Sequence, residues 1–282
     1  MSSPEPSVRR GATLPLLASE IRVLFRRRRT VAMLIALAAV PVLVAVAVRI
    51  SEGRAGNGRG PALIGAIAGN GLFVGVASLV LAIPLFLPLT IGVVAGDTIA
   101  GEASQGTLRY LLVVPAGRTR LLVVKLLGAA VFAIAAPLAI VLAGTLIGWA
   151  LFPVGPVTLL SGDQVPVAEG LLRLLLIGLY VAVAMLGMTA IGLFVSTLTD
   201  VPVGAMAATV VLAVASEVLD QLPQIAWLHP FLFTDSWLGL IDLLRQPPLL
   251  STFGTNALLQ GAYVLVFGAL AYGRFATRDV LA

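Results

Sequence analysis

An all-α membrane protein with six transmembrane helices is the fold class that this 282-residue sequence predicts, on three observations. First, 59% of the residues are apolar and only 11% are charged, whereas a soluble domain is roughly 45 to 50% apolar and about 25% charged. Second, uncharged stretches recur from Thr30 to Tyr272, and two of them, Gly60 to Gly96 and Leu126 to Gly162, are 37 residues long. About 20 apolar residues in helical form cross a bilayer core. Third, no segment beyond the amino-terminal 30 residues is polar and long enough to fold by itself. Residues 1–29 therefore form an arm and residues 30–282 one membrane domain.

The arm places Leu14, Leu17, Ile21, Leu24 and Phe25 at helical spacing, with Glu20, Arg22, Arg26 and Arg29 among the polar positions. It reads as an interfacial helix, either a lipid-surface anchor or an elbow touching a cytoplasmic partner. The first span runs from Thr30 to Val48, between Arg29 and Arg49. The second covers about Leu72 to Gly96, and Pro84 and Pro88 should kink it. The third, fourth and sixth lie at about Leu126 to Phe152, Leu174 to Leu198 and Ala257 to Tyr272. The fifth, Val201 to about Leu219, is short, because only 16 residues separate Asp200 from Glu217. Small residues four apart, Gly65 with Gly69 and Gly144 with Gly148, would permit close helix packing.

Six spans put both termini on one side. The arm, the loop from Asp97 to Lys125 and the tail carry 13 Lys and Arg against five elsewhere (Arg49, Arg54, Arg59, Arg173 and Arg245), so the termini are expected to be cytoplasmic. On the other side the connection at residues 219–255 is itself greasy, with Trp227, Phe231, Phe233 and Trp237. It should lie flat on the headgroups or dip part of the way back into the bilayer.

The chemistry of the chain is limited. With no cysteine and one histidine, His229, it lacks thiolate nucleophiles, Cys-based metal sites and histidine relays. The only lysine, Lys125, follows Val124, so no P-loop exists and no ATP site of that kind can form. Neither a catalytic residue nor a metal site is expected. The net charge of +5 reads as orientation against an anionic leaflet rather than nucleic-acid binding. The 17-to-1 excess of Arg over Lys points to a GC-rich bacterial source and so to a bacterial cytoplasmic (inner) membrane. Glu217 and Asp220, near the outer end of the fifth span, are the acids that could rim a pathway or outer gate.

Between the second and third spans lies a dense polar run, residues 96–125. Asp97 is expected to cap a helix starting around Thr98, with Glu102 in its first turns, Arg109 toward its end, and Pro115 and Gly117 ending it. Leu108, Leu111 and Leu112 give this coupling element, residues 97–120, an apolar strip that lipid or a partner protein must bury.

The order Glu102, Gly106, Thr107, Leu111, Pro115, Arg118, Lys125 resembles the cytoplasmic signature of type-2 ABC transporter permeases, and the tail "GRFATRDVLA" is similar to theirs. The resemblance implies coupling through residues 102–118 (Glu102, Gly106, Thr107, Leu108, Arg109, Leu111, Leu112, Pro115, Arg118) to a separately encoded ABC ATPase subunit, in two copies, which carries the ATP and Mg. It further implies a second permease chain, in a homodimer or related heterodimer, and an outer re-entrant hairpin after the fifth span. An importer would carry E-A-A-x-x-x-G, and "EASQG" has its Gly four residues after the Glu rather than six, which favours export. The alternatives are an ion-gradient-driven secondary carrier or small channel, and a non-transporting scaffold.

Overall fold

The computed structural model describes residues 13–54, 62–106 and 117–277. Among them six helices are long and apolar enough to cross a membrane, and the fold is all-α apart from one two-residue hairpin. The chain is a multi-pass membrane protein.

Helix α1, Thr13–Arg26, is the expected amphipathic arm and buries none of its residues completely. A bend at Arg27 leads into α2, Arg28–Arg54, which runs past Arg49 and carries Pro41 in its interior. A short helix, α3 (Ala62–Gly69), precedes the second span, which is two helices rather than one kinked helix: α4 (Phe73–Ala82) and α5 (Phe86–Ser104). The break at residues 83–85 contains Pro84, which has no N–H to continue the ladder.

The expected end of this span at Gly96 is corrected, because α5 continues through Asp97 to Ser104. Asp97 is therefore no N-cap, and no new helix starts at Thr98. Its carboxylate is neutralised by Arg27 and Arg29, so the charge does not end the helix. Gly106, with φ +69°, sits in the turn just after α5.

Gly117 (φ +73°) leads into α6, Arg118–Leu151, which begins eight residues before the expected start at Leu126. Its 34 residues span about 50 Å. Strands β1 (Val157–Thr158) and β2 (Gln164–Val165) pair in an unanticipated hairpin. The fourth span is α7 (Val167–Ala184) and α8 (Leu186–Leu198), broken only at Met185. It also starts earlier than expected, because Arg173 sits buried in its second turn on Glu169 and on carbonyl oxygens of Leu243 and Arg245. Helix α9, Pro202–Asp220, agrees with the expected fifth span, and α10, Leu250–Thr277, extends the sixth at both ends.

Within α7 and α8, 72% of the most apolar stretch is buried, against 11% in α10, which places α7–α8 at the centre. Around it pack Leu79, Ile83, Leu87, Phe132, Ile140 and Trp237, all nearly inaccessible. Of the two glycine pairs only Gly144–Gly148 is a packing site. A Cβ at Gly148 would sit 2.1 Å from the Gly71 oxygen and one at Gly144 2.5 Å from the Gly75 Cα, whereas no described atom lies within 4 Å of a Cβ at Gly65 or Gly69.

The greasy connection after α9 folds as three short 3-10 turns, Pro223–Ile225, His229–Phe231 and Gly239–Leu244. It packs inward. Trp237 Nε1 donates to the Ala184 oxygen (3.1 Å), Gln260 Nε2 to the Phe233 oxygen (2.9 Å) and Tyr263 Oη to the Phe231 oxygen (2.7 Å). Ala184 ends α7, about 25 Å along that helix from Val167, so the segment folds back beside the inner stretches of α7 and α10.

Candidate functional site

The charges of the polar run converge with those of the arm. Lys125, in the second turn of α6 and 5% exposed, donates to Glu20 Oε1 at 2.9 Å, Glu20 Oε2 at 3.1 Å and Glu102 Oε1 at 2.7 Å. An ammonium has three hydrogens, and three carboxylate oxygens take them. Glu20 stands on α1 because the apolar face of that helix docks Leu24 toward the core. Gly128, one turn beyond Lys125, has no side chain to hold the arm off, since a Cβ there would lie 3.0 Å from Glu20 Cγ.

A second pairing lies alongside. Asp97 accepts from Arg27 Nη1 at 3.2 Å and from Arg29 Nη2. Arg27 sits at the bend between α1 and α2 and Arg29 in the first turn of α2, so one buried carboxylate fixes that bend. Glu20, Asp97 and Glu102 balance Arg27, Arg29 and Lys125, three charges against three. Between the two pairings is a cavity of about 20 Å³ lined by residues that include Glu20, Arg27, Asp97 and Lys125. One water fits such a space.

One turn from Asp97, the buried hydroxyl of Ser196 on α8 enters the hydrogen-bond ladder of α5. It donates to the Gly96 oxygen (2.7 Å) and accepts from the amides of Ile99 (3.0 Å) and Ala100 (2.8 Å). A side chain inserted in this way is a common cause of local helix bending. Here it ties the end of α5 nearest the arm to the central span.

Of the residues expected to couple, Glu102 is in the last turn of α5 rather than in the first turns of a new helix. It nevertheless belongs to the ionic junction. No described atom lies within 4 Å of a Cβ at Gly106, and its positive φ is the reason a glycine suits that turn. Arg118 donates to the oxygens of Ala276 (2.6 Å) and Phe275 (3.5 Å), a cation on the last carbonyls of α10. Thr107, Leu108, Arg109, Leu111, Leu112 and Pro115 lie outside the described residues.

Glu217 and Asp220 are half-buried at the end of α9. They do not join the ionic junction. Asp220 neighbours Asp235 and His229 of the folded-back segment, and the Asp235 carboxyl is pushed above the usual range by burial and by Asp220, with His229 opposing.

Sequence reasoning missed Glu20, Arg27, Arg29 and Ser196 as site residues. Lys125 carried a signal, being the one lysine among 18 basic residues. The pattern recognised for ABC-2 family transporter proteins covers residues 14–280. The chain belongs to that family. As an ABC-2 family member it is a membrane transport subunit of an ABC transporter, a permease and not the ATPase, and its family associates with an ABC ATPase. No curated protein matches it in sequence.

Proposed function

We propose that this chain forms the translocation pathway of an ABC exporter as a dimer of permease chains, driven by two copies of a separate ATPase subunit that bind the ATP and Mg. The chain is placed in a bacterial cytoplasmic membrane with both termini inside, a reading supported by the 13-to-5 distribution of basic residues. The absence of the importer-type spacing after Glu102 supports export.

The observation that carries the coupling reading is the Lys125 junction. A signal from a cytoplasmic partner at residues 102–118 reaches Glu102, and Glu102 shares its cation with Glu20 of the arm. From there Asp97 leads to α2, and Ser196 to α8. The junction and Ser196 thus join α1, α2, α5, α6 and α8. The folded-back outer segment supports the reading of a re-entrant element on the opposite face, and Glu217 and Asp220 border it as candidate outer-gate residues.

Mild detergent extraction followed by reconstitution tests the reading. An ABC ATPase should copurify with the chain, and transport should require ATP hydrolysis. Transport driven by a proton or sodium gradient, with no ATPase present, would return the chain to the class of secondary carriers.

A further inference from the structure

On the face opposite the termini the folded-back segment and the start of α10 border an open pocket of about 290 Å³. The described cavities at the ionic junction and beside Arg173 are only about 20 and 10 Å³. Six polar residues line it: Tyr180, Asp235, Ser236, Ser251, Thr252 and Thr255. Gly239 completes it, and a Cβ there would lie 2.3 Å from the Tyr180 hydroxyl.

The direction of the hydroxyl hydrogens decides what such a pocket can hold. Tyr180 Oη donates its hydrogen to the Ser236 oxygen (2.5 Å), Thr252 Oγ1 to Asp242 Oδ2 (2.9 Å) and Thr255 Oγ1 to the Ser251 oxygen (3.1 Å). Those three oxygens keep lone pairs and no hydrogen, so they can only accept. Asp235 adds an ionisable carboxylate. Asp242 is already held by Arg245 at 3.3 Å and by Thr252, whereas Asp235 makes no ion pair among the described residues. The neighbouring Asp220 opposes the charge of Asp235, so a cation arriving there would relieve both its desolvation and that repulsion. An acceptor-rich wall with one free carboxylate selects a ligand that brings both donors and positive charge. The volume lies at the lower limit of drug-sized sites, which suits a single ring or a head group.

We propose that this pocket binds a protonated primary amine, either as a soluble amino sugar or amino alcohol or as an ethanolamine head group of lipid. The site rests on the fold alone. It requires neither the ATPase nor a direction of transport, so its failure would leave the exporter reading intact.

Calorimetric titration of the full chain in phosphatidylcholine nanodiscs with glucosamine, and with N-acetylglucosamine as the neutral counterpart, tests it. Glucosamine should bind at least about tenfold more tightly than the N-acetyl form. Asp235→Asn and Thr255→Val, both at exposed positions that fold independently of the core, should each weaken it. Repeating the titration in phosphatidylethanolamine nanodiscs separates the two sources. Loss of glucosamine binding there assigns the pocket to the lipid head group, and unchanged binding assigns it to a soluble amine. Equal affinity for both sugars, no binding of glucosamine in either lipid, or unaltered binding by Asp235→Asn would overturn the proposal.

Discussion

Lys125 neutralises two carboxylates at once, and at 5% exposure neither water nor salt screens that interaction effectively. Removing the cation would leave Glu20 and Glu102 facing each other without Lys125 between them. Breaking such a buried pair costs about 3 to 5 kcal/mol, mostly as the penalty of the uncompensated charge left behind. Lys125→Met is therefore expected to lower the unfolding free energy by about that amount. Adding Glu20→Gln and Glu102→Gln should recover most of the loss, because the stranded charges are then gone. Thermal unfolding of the purified chain in detergent reads both effects, and a triple variant less stable than Lys125→Met alone would contradict this account of the junction. The partners of Lys125 were only half legible. Glu102 lies 23 residues away in the same polar run, whereas Glu20 lies 105 residues away and comes close only because α1 packs on α6. Asp97 misled for a related reason: a carboxylate before a threonine at the end of an apolar stretch has the pattern of a cap, and its true partners are 70 and 68 residues distant.

Among the helices, α4 and α6 approach through glycines on both sides, so backbone meets backbone. The spacing of Gly144 and Gly148 on α6 is repeated by Gly65 and Gly69 on α3, yet only the first pair has a partner to meet. Gly148→Leu should thus force the two helices apart and lower stability by about 1 to 3 kcal/mol or more. Gly69→Leu, in open space, should change it by less than about 0.5 kcal/mol. The same unfolding assay compares them, and equal effects at the two sites would contradict the packing. The number and order of spans were legible because uncharged length reports membrane crossing directly. Their ends were not. Asp97 and Arg173 were taken as limits of apolar stretches, but each is neutralised inside a helix, by Arg27 and Arg29 in one case and by Glu169 in the other. A charge ends a span only when nothing in the fold pairs with it, and pairing is a tertiary property. The 3-10 turns after α9 were equally hidden, since their apolar composition told that they were buried or bound to lipid and not how they fold.

For the whole molecule, the arm, α5 and α6 meet at the ionic junction, and Ser196 joins the same level of α5 to the central α8. A displacement of Glu102 must then either move α1 with it or break the Lys125 pairing. On the proposed reading, the junction is the point where force from the ATPase would enter the membrane helices. Hydrolysis by the ATPase subunit in reconstituted membranes, with Glu102→Gln or Lys125→Met permease that has been shown to be folded and to retain the ATPase, is the most direct test of this claim. The account predicts that permease-dependent hydrolysis falls at least about fivefold, the lower end of ordinary coupling between sites. Hydrolysis at the wild-type rate in both variants would contradict it.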